Sequence, residues 1–176
     1  MIKIQPCSAV SEYKKIRSEA LLSDPDAFGE LFDMFKLKTD DEIEFYLRDV
    51  NNGVSKRVDL LLCDDKIIGM CGYGIKDNDI NNGFIWGVYV NISFRGKGFS
   101  EQLVNSSIDN IWKMGCKTIK ARVAAPNMRA INFYKKLGFK ISDPVGTLRQ
   151  GSSIPVFEIS KSAQQGDAPE PASPAR

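Results

Sequence analysis

Between an apolar, strand-like run from Phe84 to Val90 and the clearest amphipathic segment of the chain stands Arg95-Gly96-Lys97-Gly98-Phe99-Ser100. Glycines let backbone N–H groups approach a ligand closely, and a helix start adds unsatisfied donors and positive potential, so this loop suits a diphosphate. Arg95 and Lys97 add charge. The spacing is neither the G-x-x-x-x-G-K-[ST] of a nucleotide-binding loop nor the G-x-G-x-x-G of a dinucleotide fold. In isolation the loop reads equally well as a tight strand-to-helix turn with solvated basic residues. A second element runs from Asn127 to Phe139 and contains Ala130, Phe133, Tyr134 and Gly138. Alone it is a capped helix with Ala130, Phe133 and Leu137 on one packing face.

The chain contains no histidine. Ser-His and Cys-His nucleophile pairs and a histidine general base are therefore excluded, leaving carboxylates, tyrosines, backbone amides and water for any chemistry. The four cysteines, Cys7, Cys63, Cys71 and Cys116, form no CxxC pair and have no histidine to complete a mixed metal site,. No metal is expected. Cys63 and Cys71 lie in apolar runs and read as small packed hydrophobes, so reduced thiols and a cytoplasmic location are expected.

The elements that must hold these groups can be read from periodicity. Ile2 and Ile4 alternate in a short first strand, and Ser8 stands as the expected N-cap of a helix carrying Val10, Tyr13, Ile16, Ala20 and Leu21,. Ala27 to Lys38 is a short helix or helical loop. Thr39 to Glu42 forms a capping-box signature ahead of Ile43 and Leu47, and Asn51-Asn52-Gly53 ends that helix,. Val58–Cys63 and Ile67–Ile75 flank Asp64-Asp65-Lys66 as a hairpin. Phe84–Val90 is a strand, Phe99 to Trp112 a helix stopped by Gly115, Thr118–Ala124 a strand, and Asn127–Leu137 a helix ended by Gly138. Strands over Phe139–Ser142 and Pro155–Ile159 close an α/β domain with a mixed sheet and helices on its faces. One domain over 1–160 is expected. The remaining residues, 161–176, are rich in Pro, Ala, Ser, Gln and Gly and are expected to be a disordered tail.

Composition narrows the partners. The 176 residues carry 24 Lys+Arg against 22 Asp+Glu, a formal net charge of +2. That leaves no global basic field for nucleic acid, and no stretch approaches the roughly 20 apolar residues of a membrane span. Neither nucleic acid nor membrane is an expected partner. A homodimer is a candidate assembly.

Taken together, the two motifs resemble the GNAT superfamily of acyl-CoA N-acyltransferases. The family's R/Q-x-x-G-x-G/A loop corresponds to Arg95 through Ser100, with serine where Gly or Ala is usual. Its N-x-x-A-x-x-F-Y-x-x-x-G-F pattern is matched at Asn127, Ala130, Phe133, Tyr134, Gly138 and Phe139. The resemblance extends more weakly over Met1 to about Ser160. It implies a central mixed, mostly antiparallel sheet and acetyl-CoA as cosubstrate. Val88, Tyr89 and Val90 would line the pantetheine, with the Val88 N–H polarising the thioester carbonyl. The amides of Arg95, Gly96, Lys97, Gly98, Phe99 and Ser100 would hold the diphosphate. Asn127 would hydrogen-bond the pantetheine, and Tyr134 would protonate the departing thiolate. Phe28, Tyr73 and Trp86, with Phe32 and Tyr89, are candidates for lining the acceptor pocket.

The expected reaction is acetyl transfer to a primary amine of a small molecule or peptide by direct attack in a ternary complex. A non-catalytic acyl-CoA-binding regulatory module is the alternative. The amine must shed a proton, and Glu30, Asp33, Glu101 or a water chain are the candidate acceptors.

Overall fold

The computed structural model describes residues 1–53, 55–76 and 79–164. Most of the expected tail, from residue 165 onward, lies outside the described residues. The described order is β1 (Ile2–Pro6), α1 (Val10–Ser23), a 3-10 turn at Pro25–Ala27, α2 (Phe32–Phe35), α3 (Asp40–Val50), β2 (Lys56–Cys63), β3 (Lys66–Ile75) and β4 (Asn82–Val90). A second 3-10 turn at Ile92–Phe94 leads to α4 (Phe99–Lys113), β5 (Thr118–Ala124), α5 (Met128–Lys136), β6 (Lys140–Thr147) and β7 (Pro155–Ser162).

Among the described residues seven strands form one sheet in the order β1-β2-β3-β4-β5-β7-β6. Every neighbouring pair is antiparallel except β4 and β5. The mixed, mostly antiparallel sheet is thus as expected. Alternation sorts the side chains of β2 and β3 to opposite faces. Leu60, Leu62 and Met70 join α1 and α3 in one core, whereas Leu61, Cys71 and Tyr73 join α4 and α5 in the other. Helices therefore cover both faces.

Local chemistry explains the boundaries. The β2–β3 hairpin turns on Asp64 and Asp65, both at positive φ (48° and 62°), the geometry a two-residue hairpin turn with the strands' right-handed twist requires,. Thr39 and Glu42 form the reciprocal capping box at the start of α3. Ser8, by contrast, does not cap α1. Cys7 is still fastened to the sheet and its surroundings, its N–H donating to Val58 O (2.8 Å) and its carbonyl accepting from Asn51 Nδ2 (2.6 Å), so the helix begins later with Ala9 as an N-cap lacking a side-chain bond. At the other end, β7 carries the fold past residue 160: Lys161 pairs with Ile119 and Ser162 with Thr118. β6 also runs to Thr147, five residues beyond the expected Ser142.

One buried carboxyl lies in the sheet. Asp59 is 3% exposed and accepts from the Tyr73 hydroxyl (3.2 Å), while its Oδ1 has no hydrogen-bond partner. Burial pushes its pKa up, against the opposing pull of Arg57 and the Tyr73 hydroxyl,. The folded state therefore holds this proton more tightly than the unfolded chain does. The stability it contributes is complete below about pH 4 and is lost as pH rises through the raised folded value. Asp59→Asn should flatten that decline, so its Tm relative to the parent should rise between pH 4 and pH 7; identical pH dependence in the two proteins would refute the assignment.

Candidate active site

The central cleft originates in the one parallel strand pair. β4 and β5 pair only over Asn82–Phe84 and Thr118–Lys120, then continue to Val90 and Ala124 without pairing each other. The sheet splits there. On its other side β4 carries a bulge, because Met70 pairs with Tyr89 and Gly72 with Trp86, so Gly87 and Val88 together face Cys71. Gly87 sits at φ 62°, the conformation that makes such a bulge inexpensive for glycine,. Gly87 and Val88 are thereby left without register partners in β3 at the edge of the split.

Beyond β4, Gly96 (φ 75°) and Gly98 (φ 80°, the N-cap of α4) bend the chain into the helix. The backbone N–H groups from Gly96 to Glu101 make no hydrogen bond with the described residues; the first one engaged is that of Gln102, which donates to Gly98 O (3.1 Å). Six adjacent free donors at a helix N-terminus suit a diphosphate by number and field. They border a cavity of about 390 Å³, which is also lined by Val88, Tyr89, Val90, Arg95, Gly96, Gly98, Ser100, Asn127 and Tyr134. Most of the residues expected to meet the cosubstrate therefore converge on one cleft.

Lys97 and Phe99 do not line it. Lys97 donates to Ser93 O (3.2 Å) and lies over the Phe94 ring, and Phe99 packs on the core beside Phe94. Their contribution is confined to the backbone. Arg95 lines the cleft but acts as a brace, donating to Val90 O (2.7 Å) and pairing with Asp24. Asn127 caps α5 by accepting from the Ala130 N–H (3.1 Å).

Tyr134 stands in the wall of the cleft between the rings of Phe133 and Phe139, each 5.2 Å away and edge-on. Its hydroxyl has no hydrogen-bond partner among the described residues, yet it is not among the sealed unsatisfied atoms, so it opens into the cavity. Burial raises its pKa far above the ordinary phenol value, keeping it protonated throughout the neutral range,.

A second cavity of about 450 Å³ adjoins the first. Ala27, Phe28, Ile85, Trp86, Gly87, Arg122 and Ala124 line both. The two meet at the bulge. The second cavity is further walled by Tyr13, Arg17, Glu30, Tyr46, Lys76 and Val145 to Leu148. Phe28 and Trp86, two of the residues expected at the acceptor, border both cavities. Tyr73 does not: it is 1% exposed, on the α4 side of the sheet, bonded to Asp59 and to Asn110 Nδ2 (3.0 Å), and lines neither cavity. Strand parity decides this, since Gly72 faces the cavity and its neighbour must face away. Phe32 also lines neither cavity.

Gly72 leaves space that the Trp86 indole fills, and a methyl group there would overlap that ring. Gly72→Ala should therefore push Trp86 into the second cavity and lower kcat/KM for the substrate that enters it by about tenfold or more, with KM for the other nearly unchanged. Steady-state kinetics with each substrate varied in turn would check this.

Of the three candidate proton acceptors, only Glu30 borders the second cavity. Its Oε2 accepts from Arg17 (3.1 and 3.3 Å) and its Oε1 pairs with Lys38 (2.5 Å). Asp33 pairs with Lys36 in solvent, and Glu101 pairs with Lys136 on the first cavity's side. Sequence reasoning missed Gly87, Arg17 and Arg122. A glycine inside an apolar strand and an arginine inside a β-branched strand are the signals that could have found two of them.

The matching family model is the acetyltransferase (GNAT) family, over residues 22–139, and the chain belongs to that family. An uncharacterized N-acetyltransferase of Methanocaldococcus jannaschii is 33% identical over 115 residues, 65% of this chain; the match spans about half (47%) of that relative's length. Among solved structures, a GNAT-family acetyltransferase from Streptococcus pneumoniae superposes with a TM-score of 0.76 at 17% identity, covering 93% of this chain and 100% of its own. Spermidine N-acetyltransferase from Vibrio cholerae, in complex with CoA and spermine, gives 0.74 at 14% identity over 92% and 95% of the two chains. The PaiA N-acetyltransferase of Thermoplasma acidophilum, bound to coenzyme A, gives 0.70 at 16% over 90% and 98%. At these identities the likeness is one of fold.

Proposed function

We propose that the chain transfers the acetyl group of acetyl-CoA to a primary amine by direct attack in a ternary complex. The observation that carries this reading is the meeting of two cavities at the Gly87–Val88 bulge, one bordered by the loop of open amides from Gly96 to Glu101 and the other by aromatic and charged side chains. A module that only bound acyl-CoA would have no use for the second cavity. The four unpaired cysteines support a reducing, cytoplasmic setting,.

Acetyl-CoA supplies a thioester whose carbonyl carbon accepts the nucleophile. In this reading the amides of Gly96 to Glu101 bind the diphosphate, and Asn127 and the backbone of β4 align the pantetheine in the split between β4 and β5. The Val88 N–H donates to the carbonyl oxygen as negative charge gathers there. The amine nitrogen, entering from the second cavity, forms the C–N bond. As the C–S bond breaks, Tyr134 gives its hydroxyl proton to the thiolate sulfur. The amine's proton leaves through Glu30 or water, and an equivalent proton from solvent restores Tyr134. Thiol release from acetyl-CoA that depends strictly on added amine, with an acetamide as the coupled product by mass, tests the reading. Tight CoA binding without turnover across amines, polyamines, aminoglycosides and peptides would favour the non-catalytic alternative.

A further inference from the structure

The charges around the second cavity are unevenly matched. Among the described residues the guanidinium groups of Arg17 and Arg122 line it against one carboxylate, Glu30, whose two oxygens are already engaged by Arg17 and Lys38. Arg17 is fixed: its side chain is 12% exposed and stacks over the Phe28 ring at 5.0 Å, and its Nε and Nη2 both donate to Glu30. That leaves Nη1. It has no partner among the described residues and is not sealed from the cavity, and a Cβ built on Gly87 would lie 3.9 Å from it. A pre-positioned guanidinium donor thus points at the bulge beside which the acetyl carbon must sit. Arg122, on the facing strand, lines both cavities at the same junction and has no ion-pair or hydrogen-bond partner among the described residues.

Resting on the acetyltransfer reading, we propose that the acceptor is a small amine carrying a carboxylate close to its nitrogen, as in a free amino acid, and that Arg17 and Arg122 hold that carboxylate. Guanidinium groups match a carboxylate's planar pair of oxygens. A polyamine would bring two or more positive charges into a cavity whose one carboxylate is occupied, and a peptide N-terminus has a neutral amide where the carboxylate is required. The same cations disfavour the ammonium form of a nitrogen placed between them, which assists attack in a site with no histidine.

The test measures acetyl-CoA turnover by the full chain with the common amino acids, their C-terminal amides, the corresponding decarboxylated amines, spermidine and short peptides. At least one amino acid should exceed its own amide and amine in kcat/KM by about tenfold or more, the scale of a charged hydrogen bond. Arg122→Gln lies on an exposed position, so folding should be unaffected. It should raise KM for that amino acid by a similar factor, leave KM for acetyl-CoA within about twofold, and shrink the acid-to-amide ratio. Amides, polyamines or peptides turned over as well as the acids would overturn the proposal while leaving acetyl transfer intact. An unchanged acid-to-amide ratio in Arg122→Gln would overturn the role of that residue. No amine-dependent turnover with any class would overturn both readings.

Discussion

Tyr134→Phe is expected to lower kcat by about 10²-fold or more while leaving the affinity for CoA within about twofold. The substitution removes one oxygen from a side chain otherwise held by Phe133 and Phe139, and that oxygen bonds to no described residue, so packing should survive. What is lost, in the proposed reaction, is the proton for the departing thiolate. The raised pKa of the buried phenol predicts a further signature. In the parent, kcat/KM for the amine should climb with pH as the nucleophile loses its proton, with no falling limb from Tyr134 in the ordinary phenol range near 10,. Full turnover in Tyr134→Phe would remove the residue from the mechanism.

Gly87→Val should be comparably severe, with kcat falling about 10²- to 10³-fold, the cost of removing one oxyanion donor. Space is not the obstacle, because a Cβ at Gly87 meets its nearest neighbours, Arg17 Nη1 and Met70 Cε, at 3.9 Å. The backbone is. A β-branched residue at φ 62° is a genuine outlier, so the strand should relax toward regular pairing with β3 and draw the Val88 N–H back into the ladder,. Gly87→Ala, with less crowding, should lie between valine and the parent. A Gly87→Val protein with normal circular dichroism, a Tm within several degrees of the parent and parent-level kcat would show that the bulge does not position the donor.

The elements were legible because their signals are local. The capping box at Thr39 and Glu42, the paired aspartates of the hairpin, and the glycines after α4 and α5 each act within a few residues. The loop at the first cavity was legible for a related reason: its open amides follow one another along Gly96 to Glu101, so spacing marks it. The second cavity is assembled differently, from α1, the segment after it, α3, β2, β3, β4, β5, the end of β6 and β7. Arg17 and Arg122 are 105 residues apart in sequence, and only Arg122, inside a β-branched strand, has neighbours that mark it. Tyr73 was misplaced because an unbroken apolar run such as Ile67–Ile75 does not say which parity faces which core. Ser8 misled because capping chemistry gave way to the strand's own hydrogen bonds at Cys7.

The short stretch from Asp24 to Phe28 is tied at both ends. Asp24 pairs with Arg95 and with Arg129 (3.2 Å), both bordering the first cavity. Arg149, from the turn between β6 and β7, donates to Pro25 O (3.1 Å) and Phe28 O (2.9 Å). A polyanion drawing Arg95 and Arg129 toward itself would release Asp24 and so shift Phe28, which walls both cavities. Thermodynamic reciprocity then requires that whatever factor the first ligand imposes on the affinity of the second is returned in full. The coupling between the two ligands, equal whichever binds first, would thus run through a five-residue strap.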